Sequence, residues 1–170
     1  MEDTTTMSTS PPTQSARACF RIGVFAVIER EGRYLLARRR DIGWWNLPGG
    51  GLEAGETVDE GLAREVREEV GVEIEIVRLV GVYSKPGKQE VVLTFLCRLR
   101  DPQAQPTTSE EVSEVAWFSS EALPADLLPK HRQRLEDVLL GRPEAVVRAQ
   151  RSSTEEDQGL PGEGVGPHVS

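Results

Sequence analysis

Hydrophobic and polar residues first follow a pattern typical of β-strands. Residues 17–30 are rich in β-branched and aromatic side chains, and the segment "RYLLARRR" follows after Glu31 and Gly32. Because Glu-Gly supplies a turn between two strand-like segments, the pattern predicts a β-hairpin. A further short strand is predicted at residues 45–47, and Pro48 with the glycines after it ends that strand.

The period then changes to that of a helix. Four apolar residues recur at every fourth position and form one stripe. They are Val58, Leu62, Val66 and Val70. Thr57 is a plausible N-cap, Glu60 completes a capping box with it, and Gly71 ends the helix.

The rest of the pattern predicts more strands and a closing helix. Residues 72–84 and 90–100 have strand-like patterns and are separated by the turn residues Pro86 and Gly87. A strand over 111–120 and a helix over 128–141 follow. Strands on both sides of a central helix indicate an α/β domain with a mixed sheet, spanning residues 17–140.

Both ends of the chain lack this periodicity. Residues 1–16 are rich in Thr, Ser and Pro, and the apolar content falls beyond Gly141. Segments of this composition cannot bury enough apolar surface to fold. We therefore expect disordered tails at 1–16 and 141–170.

Composition narrows the classes of function. The 170 residues carry a net charge of −8, which argues against extended binding to nucleic acid. There is no apolar run of membrane-spanning length and no secretory signal, so we expect a cytoplasmic protein. Cys19 and Cys97 are read as free thiols.

Negative charge is concentrated in one segment. Residues 53–76 contain nine acidic residues and only two arginines. Glu65, Glu68 and Glu69 share a helical face, and Glu69 lies within the arc of the apolar stripe. A solvated acidic face is the ordinary reading of such a run, but it does not explain an acid directed toward the core. A hard divalent cation such as Mg²⁺ explains it, because Mg²⁺ binds carboxylates together with water and substrate phosphates.

Residues 50–72 resemble the Nudix box, G-x5-E-x7-R-E-U-x-E-E-x-G-U, in which U is aliphatic. The flanking segments "WNLPGG", "LLARRR" and "EVSEVAWF" are also similar to that family, so the resemblance covers residues 17–140. The matching positions are Gly50, Glu56, Arg64, Glu65, Val66, Glu68, Glu69, Gly71 and Val72.

The resemblance implies an α/β/α sandwich that hydrolyses a pyrophosphate bond in a nucleoside diphosphate derivative, with Mg²⁺ or Mn²⁺ as cofactor. It implies that Glu65, Glu68 and Glu69 bind the metal, and in some members the residue at Glu65 also helps to deprotonate water. Arg64 would orient these carboxylates. Glu56 and Gly71 would have structural roles.

Two further parts of the metal site are expected. The glycines Gly49, Gly50 and Gly51 could form a plain tight turn, but before a helix they also let the backbone approach metal and phosphate closely. We assign Gly49 to the metal and the other two to the substrate. Among the later acids 110, 111 and 114, we prefer Glu111 as an additional metal ligand, against the alternative of an ordinary acidic loop.

Arginines and tryptophans are candidate substrate contacts. Strand alternation places Arg38 and Arg40 on one face and Arg39 on the other, so the first two could clamp phosphate, and a solvated strand end is the equal alternative. One of the two tryptophans 44 and 45 should pack in the core. We take Trp44 as the candidate for stacking on a base.

The substrate is less determined. Pro86 resembles a marker of ADP-ribose pyrophosphatases, the tyrosine of dinucleoside polyphosphate hydrolases has no match, and the motif of coenzyme A pyrophosphatases is missing. We expect a hydrolase of broad nucleotide range, with ADP-ribose or nucleoside triphosphates foremost. A silent nucleotide-sensing module is the alternative, and a homodimer is an open alternative to a monomer.

Overall fold

The predicted hairpin opens the fold. The computed structural model describes residues 19–150, so the tail predicted at 1–16 and the part of the tail predicted at 141–170 that follows residue 150 lie outside the described residues. Strand β1 (Arg21–Arg30) pairs antiparallel with β2 (Arg33–Arg39). Glu31 and Gly32 form the turn between them, with φ values of 53° and 73°.

The strands form one mixed sheet. Within residues 19–150 it has eight strands, ordered β3-β2-β1-β6-β5-β8, with β4 paired to β1 and β7 paired to β2. The pairs β1–β6 and β5–β8 are parallel and the others are antiparallel. The remaining strands are β3 (Trp45–Asn46), β4 (Gly49–Gly51), β5 (Ile74–Lys85), β6 (Glu90–Leu99), β7 (Val112–Ser119) and β8 (Val146–Ala149).

Two helices cover opposite faces of this sheet. Leu62 and Val66 of helix α1 (Val58–Val70) share one buried cluster with Ala26 of β1. Leu135 of helix α2 (Pro129–Leu139) shares a second cluster with Val27, the next residue of β1, whose side chain points to the other face. The predicted α/β sandwich with a mixed sheet between helices is confirmed.

The ends of α1 also confirm the prediction. The Thr57 side chain accepts from the backbone N–H of Glu60, and the Glu60 side chain accepts from the Thr57 N–H, so the capping box is present. Gly71 is in the left-handed conformation with φ 69°, and its N–H donates to the Arg67 carbonyl. A glycine tolerates this conformation without strain, which explains why the helix ends here.

The sequence analysis predicted a domain that ends at residue 140. The sheet continues beyond that residue. Strand β8 adds to the edge of β5, and its Arg148 donates to the buried Asp137 carboxylate at 2.6 Å. The Tyr83 hydroxyl donates to the same carboxylate at 2.9 Å. An edge strand of four residues contributes little apolar surface, and Val147 is 80% exposed. The composition of this segment is therefore similar to that of a disordered tail.

Strands β1 and β2 are paired only near the hairpin turn and then pair with different strands. Strand β1 pairs with β2 only at its end, through Glu29 and Arg30, whereas β4 occupies the edge of β1 from Gly23 to Phe25. Strand β2 pairs instead with β3 and β7. The triple glycine is thus a short strand rather than a tight turn.

Among residues 19–150, neither helix has the length and apolar composition that a membrane span requires.

Candidate active site

A cavity of about 540 Å³ lies beside the triple glycine and is lined by residues from both helices. Its size is within the range of small-molecule sites. We call the group of lining residues formed by Glu65, Glu69, Glu110 and Glu111 the acidic end. We call the group formed by Phe25, Asn46, Glu90 and His131 the α2 end, after the helix that bears His131.

Glu69 is the buried acid that the helical pattern predicted. The backbone N–H of Gly49 donates to its Oε2 at 2.8 Å. Burial raises the pKa of Glu69 to about 8, opposed by the Gly49 hydrogen bond and assisted by repulsion from Glu65 and Glu111. Gly49 has φ 137°, and a Cβ there would lie 2.1 Å from the Val24 carbonyl oxygen, so only glycine fits.

Glu65 lies one helical turn before Glu69. Its side chain is 17% exposed and accepts from Arg64 Nη1 at 3.0 Å. Burial raises the pKa of Glu65, and the charges of Glu68 and Glu111 act in the same direction, while Arg64 opposes them. A Cβ on Gly50 would lie 2.5 Å from Glu65 Oε2, so the glycine backbone lies directly against this carboxylate.

Arg64 connects the acids of the helix to the loop before it. Its guanidinium donates to Glu56 at 2.5 and 3.0 Å, to Glu68 at 3.1 Å and to the Gly51 carbonyl at 3.1 Å. The hydrogen bonds from Arg64 lower the pKa of Glu56 to about 2. Arg64 therefore positions Glu65, and Gly51 contributes a carbonyl to this network without lining the cavity.

The three carboxylates of the box do not all face the cavity. Glu65 and Glu69 line it, whereas Glu68 is 61% exposed at the side of the helix and pairs with Arg64. Among residues 19–150, no group of three or more His, Cys, Asp or Glu side chains is placed to hold a metal ion by itself.

The donor set nevertheless fits a hard divalent cation. Burial raises the pKa of Glu65 and that of Glu69, and the charge of Glu111 adds to both shifts, so a cation beside these carboxylates would relieve the repulsion. Mg²⁺ usually binds one or two carboxylates and completes its shell with water and substrate phosphates. Two inward-facing carboxylates next to a glycine backbone are consistent with that kind of site.

The loop before β7 supplies the other acids. Glu110 and Glu111 line the cavity and Glu114 does not, so the choice of Glu111 as a metal ligand stays a prediction. Arg40 holds this loop, because its guanidinium donates to the carbonyls of Ser109, Glu110 and Val112 at 3.0–3.3 Å. Arg40 therefore lines the cavity, and its guanidinium stabilises the loop that bears Glu110 and Glu111.

The predicted alternation of the three arginines is wrong. The pairing of β2 with β7 shifts register between Arg38 and Arg39, so Arg39 and Arg40 both line the cavity and Arg38 does not. A β-bulge of this kind breaks the two-residue period of a strand. Arg38 donates to the Gly43 carbonyl at 2.8 Å and pairs with Asp126 at 3.2 Å, outside the cavity.

Comparison with known proteins agrees with the arrangement of box, sheet and helices. A family model described as "NUDIX domain" matches residues 20–140. The chain belongs to the Nudix family of pyrophosphohydrolases.

Relatives of similar length support this assignment. A "MutT-like protein" of Streptomyces ambofaciens is 38% identical over 135 residues, covering 79% of this chain and 82% of the relative. The "Nucleoside triphosphatase NudI" of Enterobacter sp. strain 638 is 32% identical over 116 residues, 59% of this chain and 82% of the relative. The crystal structure of a Nudix hydrolase from Nitrosomonas europaea superposes with a TM-score of 0.70 at 29% identity, covering 78% of this chain and 79% of that one.

The tryptophans beside the Nudix box do not line the cavity. Trp45 is buried and packs edge-on against Phe118, with ring centroids 5.0 Å apart. Trp44 is half-buried, and its carbonyl accepts from the Arg39 N–H at 2.9 Å. Base stacking by Trp44 stays a prediction, and the aromatic ring at the cavity wall is that of Phe25.

Sequence reasoning missed the rest of the cavity wall. Arg39 lines it and is held by Asp41, to which it donates at 2.7 and 3.1 Å. The residues of the α2 end come from four separate elements, and no spacing in the sequence connects them. Asn46 alone had a local signal, because it stands next to the Nudix box and is the only asparagine in the sequence.

Proposed function

We propose that this Nudix enzyme hydrolyses the pyrophosphate linkage of nucleoside triphosphates and related nucleoside diphosphate derivatives, with Mg²⁺ or Mn²⁺. The observation that carries the proposal is the placement of Glu65 and Glu69 in one cavity with Glu111, beside the backbone of Gly49 and Gly50. This cavity has room for a nucleotide, and its acidic end calls for a cation before it can accept phosphate.

Glu65, Glu69 and Glu111 would hold the metal, and the Gly49 carbonyl is the additional ligand that we expect. A divalent cation bound there supplies positive charge for the phosphate oxygens and lowers the pKa of a bound water. Glu68 contacts Arg64 at the edge of the site, and its role as a ligand stays a prediction.

The protein side chains hold this arrangement in place. The Gly49 N–H fixes one oxygen of Glu69, and Arg64 fixes one oxygen of Glu65. Arg40 fixes the backbone of the loop that bears Glu111. Carboxylates held in this way can accept a proton from the attacking water without having to reorganise.

Arg39 is the cationic side chain that we assign to phosphate in place of Arg38. It lines the cavity, is 23% exposed, and its charge acts on Glu69. The bidentate contact with Asp41 orients the guanidinium at the cavity wall. Arg40, the other arginine of the cavity, already uses its guanidinium to hold the loop.

Nucleoside triphosphates are favoured over ADP-ribose as the first class to test. Pro86, the residue that suggested ADP-ribose, lies in an exposed 3₁₀ turn and does not line the cavity. The relative from Enterobacter is named a nucleoside triphosphatase. ADP-ribose stays in the proposed range, because the cavity is larger than the triphosphate group alone requires.

The test is a screen of purified protein against nucleoside triphosphates, including oxidised ones, ADP-ribose, sugar nucleotides and dinucleoside polyphosphates. Products are separated by chromatography with Mg²⁺, with Mn²⁺ and with a chelator. We expect release of a nucleoside monophosphate from at least one class in the presence of metal and none with the chelator. Binding without turnover on every member would overturn the proposal and favour a sensing module.

A further inference from the structure

The α2 end of the cavity has no part in the hydrolysis described above. Phe25, Asn46, Glu90 and His131 stand on β1, β3, β6 and α2, and each of them lines the cavity. In the proposed function, the acidic end with its metal binds the diphosphate. The α2 end is then available to whatever the diphosphate is attached to.

Asn46 shows that this end is built for a polar ligand. Its side chain is 4% exposed, and its Oδ1 has no hydrogen-bond partner. A buried acceptor without a donor is unfavourable, and a native site with such a group requires an explanation. An N–H group of a ligand in the cavity would satisfy it.

His131 provides a donor beside Asn46. Its Nδ1 accepts from the N–H of Leu47, the residue after Asn46, at 3.2 Å. The ring is 1% exposed, and burial lowers its pKa well below the usual value, so the imidazole is neutral and its single proton is on Nε2. Phe25 packs edge-on against this ring, with centroids 4.9 Å apart, and fixes its orientation.

Glu90 supplies a second acceptor. Its Oε2 accepts from Lys85 Nζ at 2.6 Å, and both side chains are largely buried, at 14% and 9% exposure. The contact with Lys85 holds the carboxylate in place. Since a carboxylate can accept about four hydrogen bonds, capacity is left toward the cavity.

Two acceptors, one donor and an aromatic ring correspond to one nucleobase better than to the others. Guanine presents two adjacent donors, N1–H and the 2-amino group, next to the O6 acceptor. Adenine presents one donor group beside an acceptor, and uracil and thymine present one donor between two acceptors. We propose that the α2 end is a guanine-selective base subsite, in which Asn46 Oδ1 and Glu90 accept from the base and His131 Nε2 donates to it. This inference rests on the proposed nucleotide hydrolysis.

The test compares GTP, ITP and ATP. ITP differs from GTP only by the missing 2-amino group, so the ratio of their kcat/KM values isolates that donor. A hydrogen bond to a charged acceptor should favour GTP over ITP by about tenfold or more, and ATP should be no better than ITP. Equal values for GTP and ITP, or a preference for ATP, would overturn the subsite.

Two variants place the preference on the named side chains. Glu90→Gln keeps the shape but removes the charge, and Asn46→Ala removes the other acceptor. We expect Glu90→Gln to reduce the GTP to ITP ratio to near 1, because Glu90 is the acceptor assigned to the 2-amino group. Asn46→Ala should instead reduce the GTP to ATP ratio, because N1–H is present in GTP and ITP and absent from ATP. Glu136→Gln, on the exposed side of α2, is the matched control and should keep the wild-type ratio. An unchanged ratio in folded Glu90→Gln protein, checked by circular dichroism, would contradict the assignment.

A binding measurement separates this inference from the proposed function. Dissociation constants of GMP, IMP and AMP, measured by calorimetry, report on the base subsite whether or not turnover occurs. Tighter binding of GMP with no hydrolysis of any nucleotide would support the subsite and reject the hydrolase. Metal-dependent hydrolysis with equal binding of the three monophosphates would support the hydrolase and reject the subsite.

Discussion

The acidic end of the cavity takes its central residues from one short stretch of chain, whereas the α2 end collects its side chains from four separate elements. Glu65 and Glu69 are one helical turn apart, and Gly49 and Gly50 precede the same helix. Asn46, Glu90 and His131 are separated by about forty residues each in the sequence. The acidic end, built from neighbouring residues, is suited to the hydrolysis itself. The α2 end, built from distant residues, is suited to selecting the substrate.

The physical reason lies in how each end is held. A helix fixes the spacing of residues four apart without help from the rest of the fold. Glu90 and His131 instead depend on the parallel pairing of β1 with β6 and on the packing of α2 against the sheet. Changes at the acidic end should therefore act mainly on turnover, and changes at the α2 end should act on preference between substrates or on stability.

The largest effect is expected for Glu69→Gln. We expect turnover to fall by at least about 100-fold, because a neutral amide neither holds the metal well nor accepts a proton. Measured as kcat with Mg²⁺, a loss of less than tenfold would remove Glu69 from the chemistry.

The same variant should be more stable than the wild type without metal. The folded-state pKa of Glu69 is raised to about 8, so metal-free protein loses stability as pH rises from the unfolded value, about 4.5, through 8. Glutamine keeps an oxygen for the Gly49 N–H and should increase the free energy of unfolding at pH 8 by about 1–3 kcal/mol. Denaturant unfolding in EDTA measures this, with Glu68→Gln as the exposed control that should change little.

Arg64→Lys should have the next largest effect. Lysine cannot reproduce the contacts with Glu56, Glu65 and the Gly51 carbonyl, so the carboxylate loses its orientation. We expect kcat/KM to fall by about 10- to 100-fold. Arg67→Lys is the control, because Arg67 lies on the same helix and pairs with the exposed Glu73 beyond the end of that helix. Equal activity of the two variants would show that Arg64 does not position the site.

A pair of glycine variants measures how tightly the acidic end is packed. A Cβ at Gly50 would lie 2.5 Å from Glu65 Oε2, whereas a Cβ at Gly51 has no atom within 4 Å. We expect Gly50→Ala to displace Glu65 and reduce kcat by about tenfold, since small misplacements of catalytic groups are costly. Gly51→Ala should be near wild type. A strong loss in Gly51→Ala would instead support the substrate contact predicted for that residue.

The smallest effect is expected for His131→Gln, in the pH dependence of the free energy of unfolding. His131 is buried and neutral, so its folded-state pKa is well below the unfolded value of about 6.5, and stability should be lost as pH falls below 6.5. The loss due to His131 should be at most about 1.4 kcal/mol per pH unit. His131→Gln retains an acceptor for the Leu47 N–H but does not titrate. If unfolding free energies of variant and wild type have the same slope between pH 6.5 and 5, His131 does not titrate as described.

Much of the fold followed from local pattern. The hairpin, the capping box of α1 and the end of that helix at Gly71 each depend on residues within a few positions of one another. The inward direction of Glu69 also followed, because a helical wheel places it beside Leu62 and Val66. Strand β8 did not follow, since its stability comes from pairing with β5 and from the contact of Arg148 with Asp137.

The sequence by itself determined the chemistry of this protein, because the Nudix box places two carboxylates, an arginine and a glycine backbone together through the geometry of a single helix and its entry. Only the tertiary structure decided which arginine faces the cavity, because a bulge opposite β7 changes the face on which Arg39 lies. It also decided which other side chains line the cavity. Asn46, Glu90 and His131 line the same cavity because strands and a helix from distant parts of the chain pack together. The periodicity of the sequence does not predict that proximity.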